Sequence, residues 1–373
     1  MLGKIKKTMI IFFAILLILV ITTYVFLRQT KFGKLPKAER LVKIEKADNY
    51  KNGSFHNLTH TPDLPEGVTY WEVAKKYLFT KKTDSKPTQA IPSIKTDLKN
   101  LNPDEDVLVW FGHSSYFMQI DGKRMLVDPV LSGAATPLPF GTRAFEGTDI
   151  YSTDDLPEID ILFISHDHWD HLDYKTITKL EPKIKTVICG LGVGEHFEYW
   201  GYDPSKIIET NWNEKTEIAD SVIVHTLPAR HFSGRGLSRN KSLWVSFVLQ
   251  TSTKQIYIGG DSGYDTHFAE IGQTFGDFDL VILDNGQYDE HWPYIHLLPH
   301  EILTVAKELN ANRILPVHSS KFVLGNHPWY EPLERITKNN EEEKLNVITP
   351  MIGEMVHLND STQTFSPWWR TVK

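Results

Sequence analysis

Cysteine is almost missing from this sequence. Cys189 is the only one in 373 residues. A lone thiol excludes an internal disulfide framework and a cysteine-rich zinc ribbon. Any metal must then be held by histidines and carboxylates, and the 16 histidines are a generous supply. An excess of positive charge is missing too. Lys and Arg total 40 against 47 Asp and Glu, for a net charge of −7. That balance argues against nucleic acid as a partner. No internal repeat is evident. Hydrophobic residues at 41% and charged residues at 23% place the chain among globular proteins.

One segment departs from this average. Thr8–Leu27 reads TMIIFFAILLILVITTYVFL, without a single charge. Its roughly 20 residues, at about 1.5 Å each in a helix, span roughly 30 Å, the thickness of a bilayer's hydrocarbon core. A cleaved signal peptide would have a shorter apolar core and a small-x-small cleavage site. The end of this run, Thr22–Leu27, offers neither. No second run of this length occurs, so the sequence predicts a single-pass membrane anchor. The side is set by two opposed signals. Arg28, Lys31, Lys34, Lys37, Arg40 and Lys43 after the span favour a cytoplasmic domain by the positive-inside rule. The short tail before the first apolar run resembles a signal-anchor, which translocates the chain on its C-terminal side. The reading adopted is an extracytoplasmic domain.

Three regions emerge from composition: a tail and anchor over 1–28, a linker and irregular extension over 29–103, and a catalytic domain with its tail over 104–373. The middle region is punctuated by Pro36, Gly53, Pro62, Pro65, Gly67, Pro87 and Pro92, with one helix expected around Thr69–Leu78. From about 104 short apolar strands begin. Asp106–Phe111 and Tyr116–Ile120 open the series, and Asp121–Gly122 signals a hairpin into Arg124–Val127. Later strands, such as Ile159–Ile164, Trp244–Leu249 and Arg313–Val317, alternate with helical patterns at Tyr174–Leu180, Gly192–Trp200 and Glu301–Leu309. Hairpins first and alternation later predict a mixed α/β layered domain.

The decisive stretch is Ile164–Ser165–His166–Asp167–His168–Trp169–Asp170–His171, between an apolar strand and a helix that Asp173 can cap. At a strand end His166 and His168 point to one side, so both imidazoles reach one ion. A tight turn brings Asp170 and His171 beside them. Four ligand-type residues in so short a span are too many for one open tetrahedral site. They suit half of a two-metal site, and imidazole with carboxylate suits zinc. The other half needs ligands from distant strand ends. His231 comes after the strand ending at Leu227, Asp261 after Gln255–Ile258, and His318 after Arg313–Val317. Strand ends are where α/β sites collect.

In that order, His166-x-His168-x-Asp170-His171, His231, Asp261 and His318 resemble the metallo-β-lactamase fold superfamily. Within it the chain is similar to the N-acyl-phosphatidylethanolamine-hydrolysing phospholipase D-like branch of bacterial zinc hydrolases. Trp110–Phe111–Gly112–His113–Ser114–Ser115, Asp128–Pro129, Ala229–Arg230–His231 and His296–Leu297–Leu298–Pro299–His300–Glu301 match that branch's segments. Asp284–Asn285–Gly286–Gln287–Tyr288 departs from the segment of the lipase itself. The likeness runs from about 104 to 355. It implies a four-layer αββα sandwich with the site at one edge of two facing sheets, and two zinc ions. His166, His168 and His231 would hold one ion. Asp170, His171 and His318 would hold the other, and Asp261 would bridge them.

Two such ions lower the pKa of a shared water towards 7 and supply hydroxide at neutral pH. Asp170 therefore counts among both the ligands and the catalytic residues. His296 has two readings: a proton donor to the leaving group, or a histidine at a helix start. His113 either supports a ligand or packs against the hairpin. Asp128 either orients a ligand histidine or is a plain turn residue. Ser262 does not sit in a Gly-x-Ser-x-Gly elbow and is not read as a nucleophile. The leading expectation is a membrane-anchored hydrolase of a phosphodiester, with a phospholipid as substrate. The runners-up are a lactonase or amide hydrolase of the same fold, and a non-catalytic metal-bound accessory protein. The aromatic clusters Trp292–Pro293–Tyr294, Trp329–Tyr330 and Trp368–Trp369 are expected to pack the N-terminal extension and the C-terminal tail onto the body, with contact to lipid at an interface as the alternative.

Overall fold

The computed structural model describes residues 2–79, 83–138, 140–219 and 221–372. Helix α1 (Leu2–Leu27) stands with its apolar side chains exposed from Ile5 to Val25. After it come α2 (Ala38–Glu45), a small hairpin of β1 (Tyr50–Lys51) and β2 (Ser54–Phe55), and α3 (Tyr70–Phe79). The stretch read from sequence as linker and irregular extension makes many contacts with the body. Arg40 on α2 reaches Glu195, Glu198 and Glu209, and Ile44 and Phe55 are fully buried. Helix α3 lies where the periodicity predicts, yet its Tyr70 and Trp71 face outward.

The body begins with β3 (Val107–Trp110), β4 (Tyr116–Ile120) and β5 (Lys123–Val127). Asp121 and Gly122 both have positive φ, the two-residue turn that the Asp-Gly signal implies. Then come β6 (Ile159–Ile164), α4 (Tyr174–Leu180), β7 (Ile184–Gly190), α5 (Gly194–Tyr199), β8 (Ile207–Thr210), β9 (Glu214–Ala219), β10 (Val222–Leu227), β11 (Ser246–Gln250) and β12 (Gln255–Ile258). The chain closes with α6 (His267–Phe275), β13 (Leu280–Asp284), α7 (Ile302–Glu308), β14 (Ile314–Val317), α8 (Glu331–Glu343) and β15 (Met355–His357). Asp173 caps α4, accepting from the Lys175 amide as expected.

Two sheets form. One has the order β15-β3-β4-β5-β6-β7-β8 and the other β14-β13-β12-β11-β10-β9. The layers arise from strand alternation. On β3, Leu108 and Trp110 point between the sheets, while Val107 and Val109 point to the opposite face, where α4 and α5 pack. On β13, Leu280 and Ile282 point between the sheets, while Val281 and Leu283 meet α6 and α7. Both faces of each sheet are covered, which is why these strands are apolar throughout rather than alternating. This is the four-layer αββα sandwich. Strands β5, β6 and β7 run parallel, as do β12, β13 and β14, so their C-terminal ends gather at one edge. Trp329, Trp368 and Trp369 are buried and join the core cluster that includes the layer between the sheets, and Trp369 Nε1 donates to Glu334 on α8.

Candidate metal centre

Every candidate ligand named from the sequence comes to that edge. The turn after β6 presents His166, His168, Asp170 and His171. His231 comes after β10, Asp261 after β12 and His318 directly after β14. The side chains meet in two groups. His166, His168 and His231 bring ligand atoms within 4.8 Å of one another. His166 Nε2 lies 2.8 Å from His168 Nδ1, which lies 3.2 Å from His231 Nε2. Asp170, His171 and His318 form the second group, and His113 joins them within the same limit.

Asp261 stands between the groups. One carboxylate oxygen lies 3.8 Å from His166 Nε2, 3.6 Å from His231 Nε2 and 3.1 Å from His171 Nε2. The other lies 3.1 Å from His318 Nδ1. A carboxylate so placed faces both clusters at once.

The surroundings prepare these groups for a cation. Among the described residues, His171 Nε2 and Asp261 Oδ1 are buried polar atoms without a hydrogen-bond partner. Such orphans are costly unless something else satisfies them. Burial pushes the pKa values of His166, His168, His231 and His318 down, towards the neutral, ligand-competent form. At His171 burial acts the same way, but Asp261, Asp170 and Asp128 outweigh it and favour positive charge at that spot. Three carboxylates around one imidazole make a field that a metal ion would answer. The residues fit such an ion.

The supporting contacts fix the imidazoles. Nδ1 of His231 donates to the Ile295 carbonyl at 2.9 Å, which leaves Nε2 free to face the cluster. Asp128 Oδ2 lies 2.8 Å from His171 Nδ1, and Asp128 accepts from the amide and hydroxyl of Ser165. Of its two sequence readings, this contact is the one that an orienting carboxylate requires. His113 Nε2 lies 2.9 Å from Asp170 Oδ2, so it supports a candidate ligand while sitting within reach of the group itself. His113, Asp128 and His318 all have positive φ, at 54°, 42° and 64°. The left-handed backbone is uncommon for residues with a Cβ; at His113 and His318 it is accompanied by the His113–Ser319 and His318–His113 backbone bonds, and at Asp128 by a bond from its amide to the Phe163 carbonyl.

His296 is buried at the same edge, its ring 5.2 Å from that of His231 and 5.0 Å from that of His318. Its Nδ1 lies 2.6 Å from Asp284 Oδ2. Burial pushes Asp284 up, and Asp284 in turn pulls His296 up against its own burial. Sequence reasoning missed Asp284 in this role. The signal was present: Asp284 ends an apolar strand at the ligand edge, just as Asp261 comes after one. Ser114, 2.8 Å from His318 Nδ1, was also missed as a partner.

A family model described as a beta-lactamase superfamily domain matches residues 123–319. An uncharacterized protein of Mycobacterium tuberculosis is 35% identical over 336 residues, covering 87% of this chain and 88% of its own. The N-acyl-phosphatidylethanolamine-hydrolyzing phospholipase D 1 of Caenorhabditis elegans is 30% identical over 67% of this chain and 75% of its own. In structure, an isothiocyanate hydrolase from Delia radicum gut bacteria superposes with a TM-score of 0.52 at 20% identity, over 67% of this chain and 98% of that one. The last likeness concerns the fold alone.

Proposed function

The chain belongs to the metal-dependent hydrolases of the beta-lactamase superfamily, and from that premise we propose that it is a membrane-anchored dinuclear zinc hydrolase of a phosphodiester. The substrate class is an N-acyl-phosphatidylethanolamine-like phospholipid. One observation carries the two-ion reading: two ligand groups, each drawn from the ends of strands in both sheets, converge on the single carboxylate of Asp261. His166, His168 and His231 are assigned to one ion, and Asp170, His171 and His318 to the other. Nitrogen and carboxylate donors without thiolate suit zinc. The phospholipid reading draws on the Caenorhabditis elegans relative and on α1, whose exposed apolar length suits a bilayer.

Two zinc ions, when bound, supply a nucleophile at neutral pH and positive charge for the oxygen under attack. The chain's residues do the rest. Asp128 and the Ile295 carbonyl keep His171 and His231 turned to the cluster. His113 steadies Asp170. His296, held by Asp284 beside both groups, keeps a proton ready and gives it to the leaving oxygen.

The test is a substrate panel on the full chain in detergent or vesicles. A fluorescent N-acyl-phosphatidylethanolamine should release a phosphatidic acid, bis-p-nitrophenyl phosphate should be cleaved more slowly, and a chelator should stop both. Cleavage of lactones with neither phosphodiester touched would return the lactonase reading in its place.

A further inference from the structure

The end of α1 is not joined to the body by a free tether. Phe26, still within the helix, packs its ring 5.2 Å from that of Phe32, and Phe32 packs 5.1 Å from Trp169. Trp169 lies inside the metal-binding turn, between His168 and Asp170. Arg235 locks this joint. Its buried guanidinium lies 4.0 Å over the Trp169 ring and donates to the carbonyls of Asp167 and Leu172, which bracket the turn. The same guanidinium donates to the carbonyl of Lys31, just after the helix. Trp200 Nε1 donates to the Thr30 carbonyl, and the Lys34 amide to His196 Nδ1. One arginine thus ties the apolar helix to the turn that presents the ligands.

Around this joint the surface is apolar and uncovered. Leu237, 85% exposed, lines a pocket of about 230 Å³ together with Leu27 at the end of the helix. Lys31 reaches across to the Pro137 carbonyl at 2.6 Å, and the loop there exposes Leu138 and, at 97%, Phe140. The loop that carries Leu237 starts at the site itself: Phe232 packs 4.4 Å from the ring of His168, and Arg239 lies 4.1 Å over Phe232. Arg239 pairs with Asp63, which accepts from Tyr70 on α3, where Trp71 is 71% exposed. A solvated surface does not present large apolar side chains this fully on neighbouring loops without a partner. The partner is indicated by continuity, since the patch extends outward from the foot of an apolar helix of bilayer length.

We infer that this face is a rigid membrane seat, with Leu138, Phe140 and Leu237 inserted into the headgroup and acyl boundary of the leaflet from which α1 emerges. The inference rests on the reading of α1 as a membrane span. Through Trp169 and Phe232 the seat holds the metal-binding turn close to that same leaflet. Amphiphilic substrates are therefore drawn sideways from the chain's own membrane, not from an opposing one. Arg28 and Lys34 sit at the headgroup level, where they attract anionic lipids.

The test uses the full chain in vesicles of phosphatidylcholine and phosphatidylglycerol. Leu237→Cys, Phe140→Cys and, as a reference on α8, Glu342→Cys are labelled singly with an environment-sensitive fluorophore. Cys189 is fully buried and takes no label in the folded protein. The labels at 237 and 140 should shift to the blue and lose most of their emission to nitroxide-bearing lipids. The label at 342 should do neither. Three unquenched labels on a chain that resists alkaline carbonate would leave the anchor standing and overturn the seat. Release of the chain by carbonate would overturn the anchor reading, and the seat with it. A blue shift that grows with protein concentration without nitroxide quenching would assign the patch to a second copy and equally overturn the inference.

Discussion

Oδ2 of Asp128 lies 2.8 Å from Nδ1 of His171, and this contact turns the opposite nitrogen of the ring towards Asp261, 3.1 Å away. Removing the carboxylate leaves the ring free to rotate or change tautomer. Asp128→Asn should weaken binding at the second group by about 10–100-fold in metal affinity, the usual effect of losing such a partner. Competition against a chromophoric chelator measures it. One tight and one weak ion per chain is the expected result; unchanged binding of both would remove Asp128 from this role.

Asp284 and His296 should behave as a unit. His296→Ala should lower turnover by about 10²–10⁴-fold with metal content unchanged. Asp284→Asn should cause a loss of the same kind, because it removes the group that orients and charges His296. The double variant should be little worse than the worse single one, since each removes the same interaction. Multiplying losses would mean that the two act separately.

The gathering of the candidate ligands was legible in the sequence because each comes after an apolar strand, and strands that run the same way end at one edge. Asp284 was not, because a lone carboxylate closing a strand is as often a turn residue, and its partner lies on another element. Strand β9, Glu214–Ala219, carries a polar edge pattern that apolar periodicity passes over. Trp244 reads as the start of a strand, yet the strand begins at Ser246 and Trp244 turns its Nε1 to the Ala229 carbonyl. Helix α3 shows the limit from the other side: its period gives a helix, but not whether its aromatic face meets the core. The packing of the extension rests on Arg40 and three glutamates more than 150 residues away, a contact with no local trace.

The Arg40 cluster should also carry stability. Glu195 and Glu209 are nearly buried, with side-chain exposures of 7% and 11%. Arg40→Ala would leave Glu209 without its ion-pair partner and Glu195 with only Lys37, 4.0 Å away, at a cost of up to about 3–5 kcal/mol for a broken buried pair. Limited proteolysis should then cut between residues 28 and 57 well before the body. Unchanged resistance there would show that the extension is held by its apolar contacts, Ile44 and Phe55, alone.

Phe163 tests the layer between the sheets. It is fully buried, with its ring 5.2 Å from Phe247 on the facing sheet. Phe163→Ala should cost about 3–5 kcal/mol through the cavity it leaves. A lower midpoint of denaturant unfolding with an unchanged slope is the expected reading. Because β6 also leads into His166, metal binding should weaken in the same variant.

Metal analysis of the purified full chain decides whether Asp261 would serve both ligand groups. Prepared without chelator, the protein should hold close to two zinc ions per chain, and Asp261→Ala should lose metal together with nearly all hydrolysis. Full hydrolysis from a preparation free of metal, or an Asp261→Ala chain that keeps both ions and its activity, would contradict the account.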